Sequence, residues 1–257
     1  MIAIEHVGKR FQARGRTVVA LDDVSLEVEA GAFVAFVGPS GCGKSTLLNM
    51  IAGIDSPTTG SIRHDGRAVA GVNRHVGYMT QTDSLLPWRT AEANVTLPLE
   101  LHGMDRTAAR ARASELLETV NLAGFARAFP IELSGGMRKR VALAQLLAYD
   151  PGTLLMDEPF GALDAQLKLV MQQELANIRD RTGKTVAFVT HDLAEAIALA
   201  DKVIVFSGRP GRIKAMRDID LPRPRDMFTV RFERRFQELY EELWSMLAPE
   251  IRKGEAL

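Results

Sequence analysis

Three stretches of the 257-residue chain carry residue types and spacings that could do chemistry. The first, Gly38-Pro39-Ser40-Gly41-Cys42-Gly43-Lys44-Ser45-Thr46, fits the pattern G-x-x-x-x-G-K-[ST]. Its glycines let the backbone curl with N–H groups pointing inward, and a helix starting there adds its dipole, which together make an anion nest. Lys44 is placed to reach the β- and γ-phosphates of a bound nucleotide, and the Ser45 hydroxyl to coordinate Mg²⁺. The second stretch is Asp157-Glu158, directly after an apolar run. Asp157 is positioned to bind Mg²⁺ and Glu158 to polarise a water for in-line attack on a γ-phosphate; taken alone, both also suit the caps of a turn before Pro159. The third is Leu133-Ser134-Gly135-Gly136. Ser134 can cap a following helix whose first N–H groups the glycines leave open, giving a second anion site, although an isolated Ser-Gly-Gly is commonly only a turn. His191, at the end of another apolar run, is either structural or within reach of a γ-phosphate.

The elements that must position these residues alternate between strand and helix. Phe33 to Val37 is a buried strand feeding the glycine loop, and Leu47, Leu48, Met50 and Ile51 form the buried face of the helix after it, ending at Gly53. Before the loop, Val18, Ala20, Val24, Leu26 and Val28 predict β-ribbons with one buried face. Asp55 to Gly60 is a turn, and Ser61 to Tyr78 returns to short strands. Helical spacing begins near Trp88: Asp105 is an N-cap for a helix carrying Leu116, Leu117 and Val120 and ending at Gly124, and a second helix follows Ser134. Thr153 to Met156, Thr185 to Thr190 and Val203 to Phe206 are further buried strands. Between them come a helix bearing Leu167, Met171, Leu175 and Ile178, ended by Gly183, and another opened by the capping box Asp192-x-x-Glu195. This pattern implies a mostly parallel α/β sheet with ligand at its carboxyl edge. After the turn Gly208-Arg209-Pro210-Gly211-Arg212, the residues Phe228, Phe232, Phe236, Leu239 and Leu243 recur at helical spacing and predict a core-facing stripe.

Lys+Arg 32 and Asp+Glu 32 cancel, so the net charge gives no support for nucleic acid as the partner. Cys42 is the only cysteine, leaving no intrachain disulfide and making the cytosol the default compartment. No stretch approaches the roughly 18 apolar residues of a membrane span.

With these motifs in this order, the chain resembles the ATP-binding cassette (ABC) ATPase family over nearly its whole length. The resemblance makes Gly38 to Thr46 the Walker A loop, Thr153 to Asp157 the Walker B strand and Leu133 to Met137 the signature. It also makes Phe11 the aromatic that stacks on adenine, Gln81 the glutamine that senses Mg²⁺ and the γ-phosphate, Glu158 the catalytic base, Ala162-Leu163-Asp164 the D-loop and His191 the switch histidine. Met137 replaces the usual glutamine of the signature. Ser84 to Thr90, Ser134 to Arg140 and Gly208 to Ile213 look like the branch that energises nitrate, alkanesulfonate and taurine importers. The resemblance implies a RecA-like core with an N-terminal antiparallel β subdomain (1–88 and 151–215), a helical subdomain (89–150) and a C-terminal helical tail (216–257). It further implies ATP and Mg²⁺ as cofactors, and a head-to-tail homodimer that sandwiches ATP on the cytoplasmic side of the inner membrane. There it would sit against permease subunits fed by a solute-binding protein, with Ser84 to Thr90 as part of the dock unless Trp88 is buried at the lobe junction. A soluble ABC clamp on a macromolecule is the alternative; such proteins usually carry two cassettes or a long coiled-coil insert, and neither is present. A phosphate-loop GTPase has no use for Ser134-Gly135-Gly136 and would need an Asn-Lys-x-Asp motif, which is missing.

Overall fold

The computed structural model describes residues 1–13, 15–82 and 84–255. The chain begins with two long antiparallel strands, β1 (Ile2–Ala13) and β2 (Arg16–Val28), followed by β3 (Phe33–Val37), helix α1 (Lys44–Ile51) and strands β4 (Thr59–His64), β5 (Arg67–Ala68) and β6 (Val76–Met79). Three helices come next, α2 (Ala91–Leu101), α3 (Arg106–Thr119) and α4 (Gly135–Tyr149). Then β7 (Thr153–Asp157), α5 (Ala165–Thr182), β8 (Thr185–Val189), α6 (Leu193–Leu199), β9 (Lys202–Phe206), β10 (Ile213–Asp218) and α7 (Arg234–Glu255) complete it. One sheet has the order β2-β1-β4-β5 and is antiparallel. The other, β10-β9-β3-β8-β7-β6, is parallel except for its edge strand β10.

Strands β3, β7 and β8 are buried at every position because both faces of the parallel sheet are covered. Alternate side chains go to opposite faces. Phe33, Ala35 and Val37 join a core with α2 to α7, whereas Val34 and Phe36 join a second core with α1 and the antiparallel sheet. This places the loop between β3 and α1 at the carboxyl edge of the central strand, beside the ends of β7 and β8.

Several local expectations need correction. Helix α3 stops before Asn121, whose positive φ of 55° supplies the left-handed stop; Gly124 lies beyond, in a short 3₁₀ turn. Asp192 caps α6 by accepting from the N–H groups of Ala194 and Glu195, but Glu195 does not complete a capping box. Its buried carboxylate instead takes the Thr190 hydroxyl (2.5 Å), Lys168 (2.5 Å) and Gln172 (3.1 Å), which ties α5 and α6 to the end of β8. The parallel sheet's edge strand runs to Asp218, so residues 216–218 are strand rather than tail. The aromatic stripe is also broken: Phe228 and Phe232 precede α7 and are 51% and 79% exposed, while Phe236, Leu239, Leu243 and Leu247 are buried. Arg225 anchors the approach to α7 by donating to the carbonyls of Ile197, Ala198 and Ala200 at the end of α6, and burial lowers its pKa to about 10.

Glu250 fastens α7 to β10 and to the turn before it, accepting from Lys214 (2.8 Å), the Gly208 N–H (3.1 Å) and Lys253 (3.3 Å). The Lys214 bond above all, then the Gly208 bond, holds its carboxyl at about 2 against an ordinary 4.5. A depressed carboxylate contributes stability that is present above its unfolded pKa and is lost as pH falls through the folded value. Wild type should therefore lose more stability than Glu250→Gln between pH 4.5 and about 2, as read from urea midpoints of the two proteins across that window. Parallel midpoint curves would remove Glu250 from the anchoring role.

Candidate functional site

Helices α2 to α6 each open on a side chain that accepts from their first N–H groups, namely Thr90, Asp105, Ser134, Asp164 and Asp192. Helix α1 has no such cap and no acid in its first turn. It opens on Gly43, whose φ of 101° is left-handed and whose Cβ, if present, would lie 2.7 Å from Leu21. Lys44 folds back and donates to the carbonyls of Gly38 (2.7 Å) and Pro39 (2.9 Å), with the Cys42 thiol 3.5 Å away. The buried back of the loop is thus closed on the lysine, and the N–H groups at the helix start have no side-chain cap.

A cavity of about 360 Å³ opens over this helix start, lined by Ser40, Gly41, Gly43, Lys44, Ser45 and Thr46 from the loop. Gln81, Glu158 and Arg209 also line it, and so do Phe11, Val18 and Ala20 from the antiparallel sheet. Phe11 is 40% exposed, with the Lys9 ammonium 5.0 Å from its ring centre. Gly38, Pro39, Cys42, Asp157 and His191 are not part of the lining.

The acids after β7 separate by environment. Asp157 is buried, lies beside the Ser45 hydroxyl and leaves Oδ1 without a partner. Burial raises its pKa, the Ser45 hydroxyl opposes the rise and the charge of Glu158 adds to it. A buried carboxylate oxygen without a donor, next to a hydroxyl at the phosphate loop, fits a hard cation with oxygen ligands. Mg²⁺ is such an ion, using one or two protein oxygens together with substrate phosphates and water. Asp157 and Ser45 would hold it; bound there, it would neutralise charge on the phosphates.

Glu158 is half-buried and carries a left-handed φ of 49°, and its N–H is bonded to the Val189 carbonyl at 2.9 Å. Its Oε2 lies 3.3 Å from Gln81 Nε2 and 3.4 Å from His191 Nδ1. One carboxylate oxygen is therefore shared by a glutamine from the β6 end of the sheet and a histidine from the β8 end. A carboxylate oriented in this way at the cavity wall can accept a proton from a water.

The structure does not bring Ser134, Gly135, Gly136 or Asp164 to this cavity. Ser134 is exposed and caps α4, its hydroxyl accepting from the Met137 N–H at 3.2 Å. Gly136 packs against the 162–163 segment, where a Cβ would lie 3.2 Å from Leu163, and Asp164 caps α5 through the Leu167 N–H. Sequence reading missed Lys139, one turn along α4 from Ser134, which donates to the carbonyls of Thr80 (3.2 Å) and Gln81 and so holds the glutamine stretch to this helix. It also passed over Arg209. Both contacts link residues far apart in the chain, with no local pattern to mark them.

A family model described as "ABC transporter" matches residues 21–161, more than half of the chain. The chain belongs to the ABC transporter family. The taurine import ATP-binding protein of Rhizobium johnstonii is 48% identical, over 96% of this chain and 96% of that one. The nitrate import ATP-binding protein of Synechocystis sp. is 41% identical, over 96% and 94%. Among solved structures, a dimeric ATP-binding cassette in a post-hydrolysis state, bound to ADP and phosphate, superposes with a TM-score of 0.81 at 33% identity, covering 86% of this chain and 100% of that one. This ABC subunit is accordingly an ATPase.

Glu158→Gln keeps shape and hydrogen bonding but loses basicity. ATP affinity should stay within a few-fold of wild type while hydrolysis falls by about 10² or more, the scale of general-base catalysis, measured by nucleotide titration and phosphate release. Near-normal turnover would exclude Glu158 as the base.

Proposed function

We propose that this chain is the ATP-hydrolysing subunit of a binding-protein-dependent importer for a small solute such as nitrate, an alkanesulfonate or taurine. The naming of its relatives supports the importer role, and the cavity supports the chemistry. Phe11 stacks on adenine, the loop amides with Lys44 and Thr46 hold the phosphates, Ser45 and Asp157 with Gln81 hold Mg²⁺, Glu158 accepts the proton of the attacking water, and His191 orients the γ-phosphate. The subunit would sit peripherally on the cytoplasmic side of the inner membrane; among the described residues no helix is long and apolar enough to cross a membrane.

The observation that carries the assembly is the absence of Ser134-Gly135-Gly136 from the cavity lining, although they open a helix like a second phosphate site. In a head-to-tail homodimer each signature faces the partner's nucleotide, with Asp164 at the seam. The subdivision into core (1–88 and 151–218), helical subdomain (89–150) and tail (219–257) follows the same reading, with the edge strand counted in the core.

In this reading Ser84 to Thr90 form part of the permease dock. Leu85 is buried while Trp88 is 72% exposed, which disfavours burial at the lobe junction and leaves an aromatic anchor free for a partner. Trp88→Ala should weaken permease association by about 2 kcal/mol, as for an interface anchor, and leave detached ATPase activity unchanged; equal losses in both assays would count against the dock.

Sites shared between subunits predict complementation. Lys44→Ala and Ser134→Arg should each be inactive as homodimers, because two-fold symmetry breaks both sites at once. Mixing the two should restore one complete site in each mixed dimer. Wild type mixed with the Lys44→Ala, Ser134→Arg double variant should fall below simple dilution. Phosphate release from both mixtures decides: a dead first mixture together with retained activity in the second would place Ser134 in its own chain's site.

A further inference from the structure

The segment Gly208-Arg209-Pro210-Gly211-Arg212 reads in sequence as a turn within a stretch that resembles the importer branch, and in the structure it is bonded to both halves of the cavity. Toward the antiparallel sheet, the Gly211 N–H donates to the Ala20 carbonyl (2.9 Å) and the Gly211 carbonyl accepts from the Asp22 N–H (3.0 Å). Arg212 pairs with Asp22 on the same strand. That strand, β2, carries Val18 and Ala20 of the cavity wall, and Val18 is the register partner of Phe11. Toward the phosphate loop, Arg209 donates through Nε and Nη2 to the Gly41 carbonyl at 3.3 and 3.1 Å. Gly211 approaches the loop so closely that a Cβ would lie 1.9 Å from the Cys42 carbonyl oxygen, so the contact is open only to glycine. From behind, Glu250 of α7 accepts the Gly208 N–H at 3.1 Å.

We infer that residues 208–212 are a clasp that fixes the separation between the Phe11–Val18 ribbon and the phosphate loop, with Arg209 as a positioning residue and Glu250 of α7 as its anchor. A ligand that touches two surfaces gains the second contact cheaply only if both are held at the matching distance; if they drift, each contact forms but not both at once. A ligand that occupies one half alone is indifferent to the separation. The inference rests on the cavity being a nucleotide site, and it gives the C-terminal helix a part in nucleotide binding although α7 does not line the cavity.

The test compares ADP, which spans both halves, with pyrophosphate, which occupies only the loop, by calorimetric titration of full-length protein. Glu250→Ala, outside the cavity lining, should lower ADP affinity about fivefold, the weight of one ordinary hydrogen bond, with pyrophosphate affinity changed by less than about twofold. Arg209→Ala should shift the same ratio in the same direction, and Arg209→Lys should recover part of that loss. Should either variant melt early, the ratio of the two losses per folded molecule still decides, since global instability scales both ligands alike. Equal losses for ADP and pyrophosphate would make Arg209 a local support of the loop and overturn the clasp, as would unchanged ADP affinity. Wild type that binds pyrophosphate but gains nothing from the adenosine of ADP would instead overturn the nucleotide reading itself.

Discussion

An anion site built from backbone N–H groups needs donors that the protein leaves open; the start of α1 has no side-chain cap at all, whereas at α4 the Ser134 hydroxyl takes only the Met137 N–H. Leaving donors open costs stability, so the surroundings must make the loop stiff by other means. Strand β3 is buried along its whole length, and the lysine at the first position of the helix folds back onto the carbonyls on the loop's far side. The chemistry is then assembled by strand order: β7 and β8 are neighbours in the sheet that holds β3, so Asp157, Glu158 and His191 arrive at one edge without any element bending toward them.

The helices α2 to α4 pack with the sheet in one continuous core, yet they give nothing to the cavity wall. One polar connection to it runs through Lys139, which grips the backbone at Gln81, while Gln81 touches Glu158. The polar contacts of that route form a short series from the helix of the exposed serine to the carboxylate at the cavity wall.

Much of this was legible in sequence because it is local. A glycine loop between an apolar run and a helix, or two acids after another apolar run, needs only a few adjacent residues to announce itself. Element boundaries were less legible where a residue other than glycine takes the left-handed stop, as Asn121 does, or where an expected capping acid is drawn into a buried network, as Glu195 is. What periodicity could not reveal was the set of long cationic side chains that close the structure at a distance. Lys139 reaches back 58 residues and Arg209 reaches back 168, and Arg225 satisfies the end of α6 from the approach to the last helix. An arginine in a turn looks the same in sequence whether it faces water or holds a loop in place. The broken aromatic stripe has the same cause in reverse: Phe228 and Phe232 continue a helical spacing into backbone that is not part of α7.

Glu158 occupies a left-handed backbone conformation, one that costs a side-chain-bearing residue about 1–2 kcal/mol relative to the right-handed regions. Glycine would adopt it freely. The fold thus gives up some backbone stability at the residue whose side chain touches both Gln81 and His191.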